Sequence, residues 1–226
     1  MKQLLTKICG LTQLENAQAV ARLQPDFVGF IFVASSPRCV AAQTPILLAN
    51  TDSSTCPSSG PRRIGVFRDQ PLAELLAIAE RWQLDGAQLH GSESIEYCQQ
   101  LRQAWPGAVL LRAGTHAELA VLNAGLDSRR SATLQMPPID YFLVDSQGGG
   151  TGQTFNWQEL CAVDWACPVF LAGGLGPSCI EQALSFAVEH EFVAGFDFNS
   201  KLEHALPGLK DVDLVKQVLT RVRQQR

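Results

Sequence analysis

The sequence predicts a single (β/α)8 barrel, an α/β fold in which parallel strands are surrounded by outer helices, as one domain over residues 1–226. Short runs rich in strand-forming residues alternate with amphipathic segments, which is the pattern of repeated βα units. The chain has 226 residues, of which 46% are hydrophobic, and this is enough to fill one barrel core. It lacks the glycine-rich turn near its start that favours an open, doubly wound sheet.

Eight runs along the chain have the composition of strands. They lie at residues 4–8, 27–32, 63–67, 86–89, 109–112, 141–144, 169–172 and 192–196. Between them, apolar residues recur at three- and four-residue steps, which predicts helices over 72–81, 95–104 and 214–222 among others. Eight strands, each followed by a helix, fit a closed barrel in a chain of this length.

Two stretches are poor in residues that favour helix or strand. Residues 50–62 are rich in Ser, Thr and Pro, and residues 127–138 carry two arginines and two prolines. Each precedes a predicted strand, and loops that lead into strands lie at the amino-terminal face of a barrel. We therefore expect two surface loops and no boundary between domains.

Composition and charge argue against binding to nucleic acid or membranes, against secretion and against a zinc site. The formal net charge is −4 and no basic stripe is present, so neither nucleic acid nor an anionic membrane is an expected partner. No apolar run is long enough to span a bilayer, and the first residues do not resemble a secretory signal. The seven cysteines are scattered without a C-x-x-C pair, which favours reduced thiols in a cytoplasmic protein and no zinc site.

Functional groups of such barrels lie where strands end and the following loops begin. The polar and glycine residues at the predicted strand ends are Lys7, Cys9, Arg38, His90, Asp145, Gly173, Gly174, Asp197, Asn199 and Ser200. Side chains alternate along a strand, so Lys7 and Cys9 share a face and Cys9 points into the barrel mouth.

For the two titratable candidates the sequence leaves two interpretations open. Cys9 is either a small buried hydrophobic residue or a base, whose thiolate a cation such as Lys7 would favour. Asp145 is either a turn residue or a carboxyl whose pKa is raised by burial until it donates a proton. The four glycines within residues 146–152 would supply the hinges of a lid over such a site.

A phosphate site is expected between the loops after strands seven and eight. Gly173 and Gly174 allow backbone N–H groups to approach an anion. Ser200 and Glu203 have the S-x-x-E spacing of a capping box, which predicts a short helix with its amino terminus aimed at the ligand. The alternative is a glycine turn followed by an ordinary cap. Arg38 and His90 are likewise compatible with a ligand contact or with a purely structural role.

Together these residues resemble the phosphoribosylanthranilate isomerase family. The matching motifs are KICGLT at 7–12, GFIF at 29–32, SPR at 36–38, QLHG at 88–91, Asp145 with GGTG at 149–152, and LAGGL at 171–175. The combination of KICG and QLHG is far more specific than either motif alone.

The resemblance implies a reaction and a role for each site residue. It implies the Amadori rearrangement of a phosphoribosylated anthranilate in tryptophan biosynthesis, without metal or organic cofactor. Asp145 would be the general acid and Cys9 the general base. Arg38 would contact the anthranilate, and Gly173, Gly174, Asn199 and Ser200 would hold the phosphate. Lys7 and His90 are further candidates for substrate contacts.

The chain departs from the family after strand eight. The family commonly has DVSSGVE there, whereas residues 197–203 are DFNSKLE, so that Lys201 replaces a glycine. Lys201 is expected either to add a cation near the phosphate or to crowd it.

Two other functions remain as alternatives, and the assembly is open. One is the related phosphoribosyl aminoimidazole isomerase of histidine biosynthesis. That enzyme has a pair of aspartates at the catalytic positions, whereas this chain has Cys9 at the first of them. The other is a noncatalytic phosphosugar-binding barrel. The expected partner is a small phosphorylated substrate, and the expected assembly is a monomer or a homodimer.

Overall fold

The computed structural model describes residues 2–41, 45, 60–130, 138–145, 156–204 and 206–225, with the backbone alone over 127–130. Eight strands, β1 to β8, form a closed barrel in sequence order, and every neighbouring pair is parallel. The strands are Leu5–Ile8, Phe27–Ile31, Arg62–Phe67, Gly86–Leu89, Val109–Gly114, Tyr141–Val144, Val169–Leu171 and Val193–Phe198. The predicted (β/α)8 barrel is confirmed.

Six α-helices, α1 to α6, lie in the described part of the chain. They are Leu14–Arg22, Leu72–Arg81, Ile95–Ala104, His116–Arg130, Ile180–Glu189 and Val212–Arg223. The helices predicted over 72–81 and 95–104 form as expected, and the one predicted over 214–222 lies within α6. After β6 the described residues form a 3₁₀ helix, Trp157–Ala162, and a second one, Ser200–Leu202, follows β8.

Two predictions about element boundaries were wrong. Helix α4 continues to Arg130, so the loop predicted over 127–138 does not include its first four residues. None of those four is Gly or Pro, and the prolines that oppose a helix come only at positions 137 and 138. Strand β8 includes Asp197, which was expected to follow the strand. Residues 131–137, and most of the predicted loop over 50–62, lie outside the described residues.

The core has two layers, one inside the barrel and one outside. The outer layer packs strands against helices, and Trp82 at the end of α2 contacts Phe30 and Phe32 there. The inner layer includes Phe27, Phe170 and Leu143. Because these side chains fill the barrel, the cavity at its mouth has a solid floor.

Two further features bear on the protein's surroundings. No helix in the described ranges is long and apolar enough to cross a membrane. The six cysteines that the structure describes are free thiols, and Cys56 lies outside the described residues.

Candidate active site

A cavity of about 340 Å³ opens at the carboxyl ends of the strands. Eight of the nine predicted site residues line it: Cys9, Arg38, His90, Asp145, Gly173, Gly174, Asn199 and Ser200. The ninth, Lys7, is fully buried within the barrel. Residues far apart in sequence thus meet at one place because parallel strands present all their carboxyl ends at the same face.

Cys9 is fixed by its backbone and by two glycines. Its N–H donates to the carbonyl of Phe198 at 2.8 Å, and the N–H of Gly10 donates to Gly29 at 2.9 Å. A Cβ atom on Gly29 would lie 2.7 Å from Sγ of Cys9. Gly10 has a φ of +78°, and a Cβ there would lie 2.7 Å from both Arg38 Cδ and Asn199 Oδ1. The absence of a side chain at Gly29 therefore leaves room for the thiol, and the absence of one at Gly10 leaves room for Arg38 and Asn199.

Lys7 lies inside the barrel beside Asp197. The two residues face each other in the β1–β8 register, and Nζ is 3.0 Å from Oδ1. Burial alone would lower the pKa of Lys7, but Asp197 and Cys9 outweigh it and raise that pKa, so the ammonium stays charged. The role of Asp197 as the partner of Lys7 was not predicted from the sequence. A lysine that faces the interior of a barrel nevertheless indicates that an acidic partner is needed.

The Cys9 thiol responds to opposing influences. Burial raises its pKa, the Lys7 ammonium lowers it, and the Asp197 carboxylate raises it again. Lys7 therefore favours the thiolate, as the sequence suggested, but the net effect is a raised pKa. Cys9 is therefore mainly a thiol at neutral pH, and its thiolate is a stronger base than an ordinary one.

Asp145 directly follows β6 and lies close to His90. Its Oδ2 lies 3.8 Å from Nε2 of His90. Burial, with a further contribution from Asp197, raises the pKa of Asp145 to about 6. Burial and the nearby Arg68 guanidinium lower the pKa of His90 to about 4, so the imidazole is neutral at physiological pH. Asp145 is consequently suited to donate a proton. The glycine lid expected over 146–152 lies outside the described residues.

Glu203 does not complete a capping box, so that prediction was wrong. Nε and Nη2 of Arg38 donate to its two carboxylate oxygens at 2.7 and 2.6 Å. Lys210 Nζ donates to the same carboxylate at 2.6 Å. Although burial acts in the opposite direction, these hydrogen bonds lower the pKa of Glu203 to about 2. Two cations thus hold the carboxylate away from the 3₁₀ helix, and Asn199 precedes that helix without a side-chain cap.

The carboxylate of Glu203 in turn fixes Arg38 and the loop after β8. Arg38 lines the cavity, and its Nε and Nη2 are both bound to Glu203. The ammonium of Lys210 is fully buried and also donates to Oδ1 of Asn199 at 2.7 Å. Lys210 was not predicted from the sequence, because it lies outside the family motifs. Only the folded structure shows its contacts with Glu203 and Asn199.

The adjacent residues Gly173 and Gly174 line the cavity and form its Gly173–Gly174 edge. Gly173 and Gly174 have φ values of +81° and +70°. Within the described chain, no acceptor is hydrogen-bonded to the backbone N–H groups of Gly173, Gly174 or Ser200. Lys201 lines the same edge and has an ordinary negative φ, so replacing a glycine by lysine creates no backbone strain here.

Among the described residues, no group of three or more His, Cys, Asp and Glu side chains is arranged to hold a metal ion. The titratable groups that line the cavity include Asp145 and Asp197, both with raised pKa values, the buried Cys9 thiol and the neutral His90 imidazole.

The closed parallel barrel, with these groups gathered at its carboxyl face, defines an enzyme of the (β/α)8 class. A family model described as N-(5'phosphoribosyl)anthranilate (PRA) isomerase matches residues 6–221. The chain belongs to this family and is an isomerase. The isomerase of Rippkaea orientalis is 35% identical over 96% of this chain and 95% of the relative. That of Trichormus variabilis is 38% identical over 92% and 93%.

Solved structures of the family have the same fold. The phosphoribosyl anthranilate isomerase of Thermotoga maritima is 27% identical and superposes with a TM-score of 0.74, covering 98% of this chain and 99% of that one. A second structure, 26% identical with a TM-score of 0.72 over the same shares of both chains, holds reduced 1-(o-carboxyphenylamino)-1-deoxyribulose 5-phosphate. The Thermotoga maritima enzyme is described as dimeric. For this chain, monomer or homodimer stays a prediction.

The contact between Gly29 and Cys9 gives a test of the thiol's placement. We expect Gly29→Ala to displace Sγ, because the added Cβ would lie 2.7 Å from it, and to lower kcat/KM by about a hundredfold. The matched control is Gly107→Ala, where a Cβ meets nothing within 4 Å. Circular dichroism checks that both variants fold. Wild-type kinetics in a folded Gly29→Ala variant would contradict a requirement for this thiol position.

Proposed function

We propose that this enzyme catalyses the Amadori rearrangement of N-(5-phosphoribosyl)anthranilate to 1-(2-carboxyphenylamino)-1-deoxyribulose 5-phosphate, the isomerisation step of tryptophan biosynthesis. One observation carries the proposal: Cys9 and Asp145 line the same cavity as the Gly173–Gly174 edge. A base, an acid and an anion site are therefore available to one small phosphorylated sugar. No metal or organic cofactor has a role in these steps.

Asp145 acts first, as the general acid. In its protonated form it gives its proton to the ring oxygen of the ribose, and the bond from that oxygen to C1′ breaks as the nitrogen lone pair forms an iminium. The raised pKa of about 6 supports this role, because a measurable fraction of the carboxyl is protonated near neutral pH. His90, being neutral, does not compete by holding Asp145 in its ionised form.

Cys9 acts second, as the general base. Its thiolate removes the proton on C2′, and the electron pair of that C–H bond neutralises the iminium to give an enolamine. The enolamine then tautomerises: C1′ gains a proton from solvent, and the C2′ hydroxyl releases its proton to solvent and becomes the ketone. Proton exchange with solvent deprotonates Cys9 and reprotonates Asp145. Lys7 supports this step, because its buried ammonium favours the thiolate of Cys9.

The two ends of the substrate are held by different groups. The free N–H groups of Gly173, Gly174 and Ser200 receive the phosphate, with Lys201 adding positive charge. Arg38, oriented by Glu203, faces the anthranilate carboxylate. Asn199, which Lys210 holds in place, supports the phosphate loop. Because the described cysteines are free thiols, the enzyme is expected to work in the reducing cytoplasm.

A direct assay tests the reaction. Phosphoribosylanthranilate is generated in situ from anthranilate and a phosphoribosyl donor, and its fluorescence is followed after the purified protein is added. We expect a protein-dependent loss of fluorescence. A flat trace beside a competent control isomerase would overturn the proposal, and it would favour a noncatalytic phosphosugar-binding barrel. Equal activity on the aminoimidazole substrate of histidine biosynthesis would instead favour that related isomerase.

Substitution of the acid and the base tests their assignment. We expect Cys9→Ala and Asp145→Asn each to lower kcat by at least about a hundredfold, because each removes a positioned acid or base. The substitutions are small, so melting temperatures close to that of the wild type are expected. Near-normal turnover in either folded variant would remove that residue from the mechanism.

The pH dependence separates the two roles. Cys9 acts as the thiolate and Asp145 as the acid, so kcat/KM rises with pH while Asp145 is protonated and levels off at about 6, where the carboxyl ionises. Asp145→Asn has no such carboxyl, and its residual kcat/KM should keep rising through that pH. The substrate phosphate also titrates at about 6. A break that persists in the variant would belong to the phosphate and contradict this assignment.

A further inference from the structure

Gln88 lies in the wall of the cavity, and its side-chain amide makes no hydrogen bond with the described residues. It is the third residue of β4 and faces into the barrel, between Val66 of β3 and Leu111 of β5 in the strand register. Its exposed fraction is 3%, yet it lines the cavity together with Cys9 and Asp145. A polar amide therefore occupies an interior position where the neighbouring strands place apolar side chains.

The amide of Gln88 is unpaired in the part of the chain that the structure describes. Its Oε1 is enclosed and accepts no hydrogen bond, and its nitrogen has no acceptor there. Asn123 shows the usual arrangement of a buried amide, because it donates to Asp164 at 2.8 Å and accepts from Ala166 at 2.7 Å. A buried amide without partners destabilises a folded chain. Its presence in the cavity wall points to a partner that arrives with the substrate.

We infer that Gln88 binds the 3′-hydroxyl of the substrate's sugar, an inference that rests on the proposed function. The ring oxygen, the C2′–H bond, the phosphate and the anthranilate already have partners in the mechanism, which leaves the hydroxyls at C2′ and C3′. The C2′ hydroxyl becomes the ketone, so of these two only the 3′-hydroxyl can both donate and accept a hydrogen bond throughout the reaction. Asp145 serves the ring oxygen, Cys9 the C2′ carbon, the Gly173–Gly174 edge the phosphate, and Arg38 the anthranilate. An amide offers one acceptor and one donor group, which matches a neutral hydroxyl better than an anion or a cation.

This contact has a consequence for catalysis and for specificity. The 3′-hydroxyl is attached to the carbon next to C2′, so fixing it orients the C2′–H bond toward the Cys9 thiolate. A site built to hydrogen-bond a substrate hydroxyl discriminates strongly against the analogue that lacks it, since its own polar groups then stay unpaired. Gln88 is thus a specificity residue for sugars that carry this hydroxyl.

The experiment compares two substrates with two enzymes. One substrate is formed from anthranilate and ribose 5-phosphate, and the other from anthranilate and 3-deoxyribose 5-phosphate. The wild type should prefer the hydroxylated substrate in kcat/KM by about tenfold or more. Gln88→Met keeps the side-chain length and removes the amide, so it should lose about tenfold or more on the hydroxylated substrate and show almost no preference.

Two controls separate recognition from stability. Gln70→Met removes another amide whose buried oxygen is unpaired in the described chain, but Gln70 lies outside the cavity lining. It should keep the wild-type preference and rate. Gln88→Met should melt at the wild-type temperature or above it, since it deletes an unsatisfied buried group.

Each outcome bears on a different claim. An unchanged preference in folded Gln88→Met would overturn the role of Gln88. Should that variant fail to fold, the wild type alone still decides, because equal kcat/KM on the two substrates would overturn the inference. A wild type that is active without preference contradicts only the role of Gln88. A wild type inactive on the hydroxylated substrate contradicts the proposed function itself.

Discussion

The buried ion pair between Lys7 and Asp197 is the constraint on which the site depends. It joins β1 to β8 where the barrel closes, with Nζ 3.0 Å from Oδ1 and the lysine side chain fully buried. Neither charge is stable there alone, since removing one partner of such a pair costs about 3–5 kcal/mol. The pair also sets the electrostatic environment of the cavity, because Lys7 lowers and Asp197 raises the pKa of both Cys9 and Asp145.

The polar groups around the cavity fall into two kinds. Some are hydrogen-bonded to one another and stabilise the structure, and others lack partners among the described residues and are available to a ligand. Arg38, Glu203 and Lys210 satisfy one another through short hydrogen bonds and so bring the loop after β2 against the loop after β8. Gln88 and the N–H groups of the glycine edge have no such partners among the described residues. Unsatisfied groups of this kind are expected where a ligand binds, because stability is given up there for function.

The sequence alone predicted the barrel and eight of the residues that line the cavity, for a simple physical reason. Strand patterns are local, and a parallel barrel brings every strand end to one face, so Cys9 and Asp145 could be placed together without any knowledge of contacts. Glu203 was misassigned because Arg38, which binds both of its carboxylate oxygens, is 165 residues away in sequence. Lys210 is only seven residues from Glu203, but it lies outside the motifs, so no sequence pattern indicated the contact. Gln88 stood within the QLHG motif, but only folding reveals that its amide lacks partners.

The proposed mechanism requires that the Cys9 thiol and the Asp145 carboxyl face the same reacting sugar. The most direct test is a crystal structure of this protein with reduced 1-(o-carboxyphenylamino)-1-deoxyribulose 5-phosphate, the ligand held by a structural relative. We predict that Sγ of Cys9 contacts C2′ and that the Asp145 carboxyl lies on the other side of the sugar chain, with the phosphate on the Gly173–Gly174 edge. A ligand bound outside the cavity, or with C2′ out of reach of Cys9, would contradict the account.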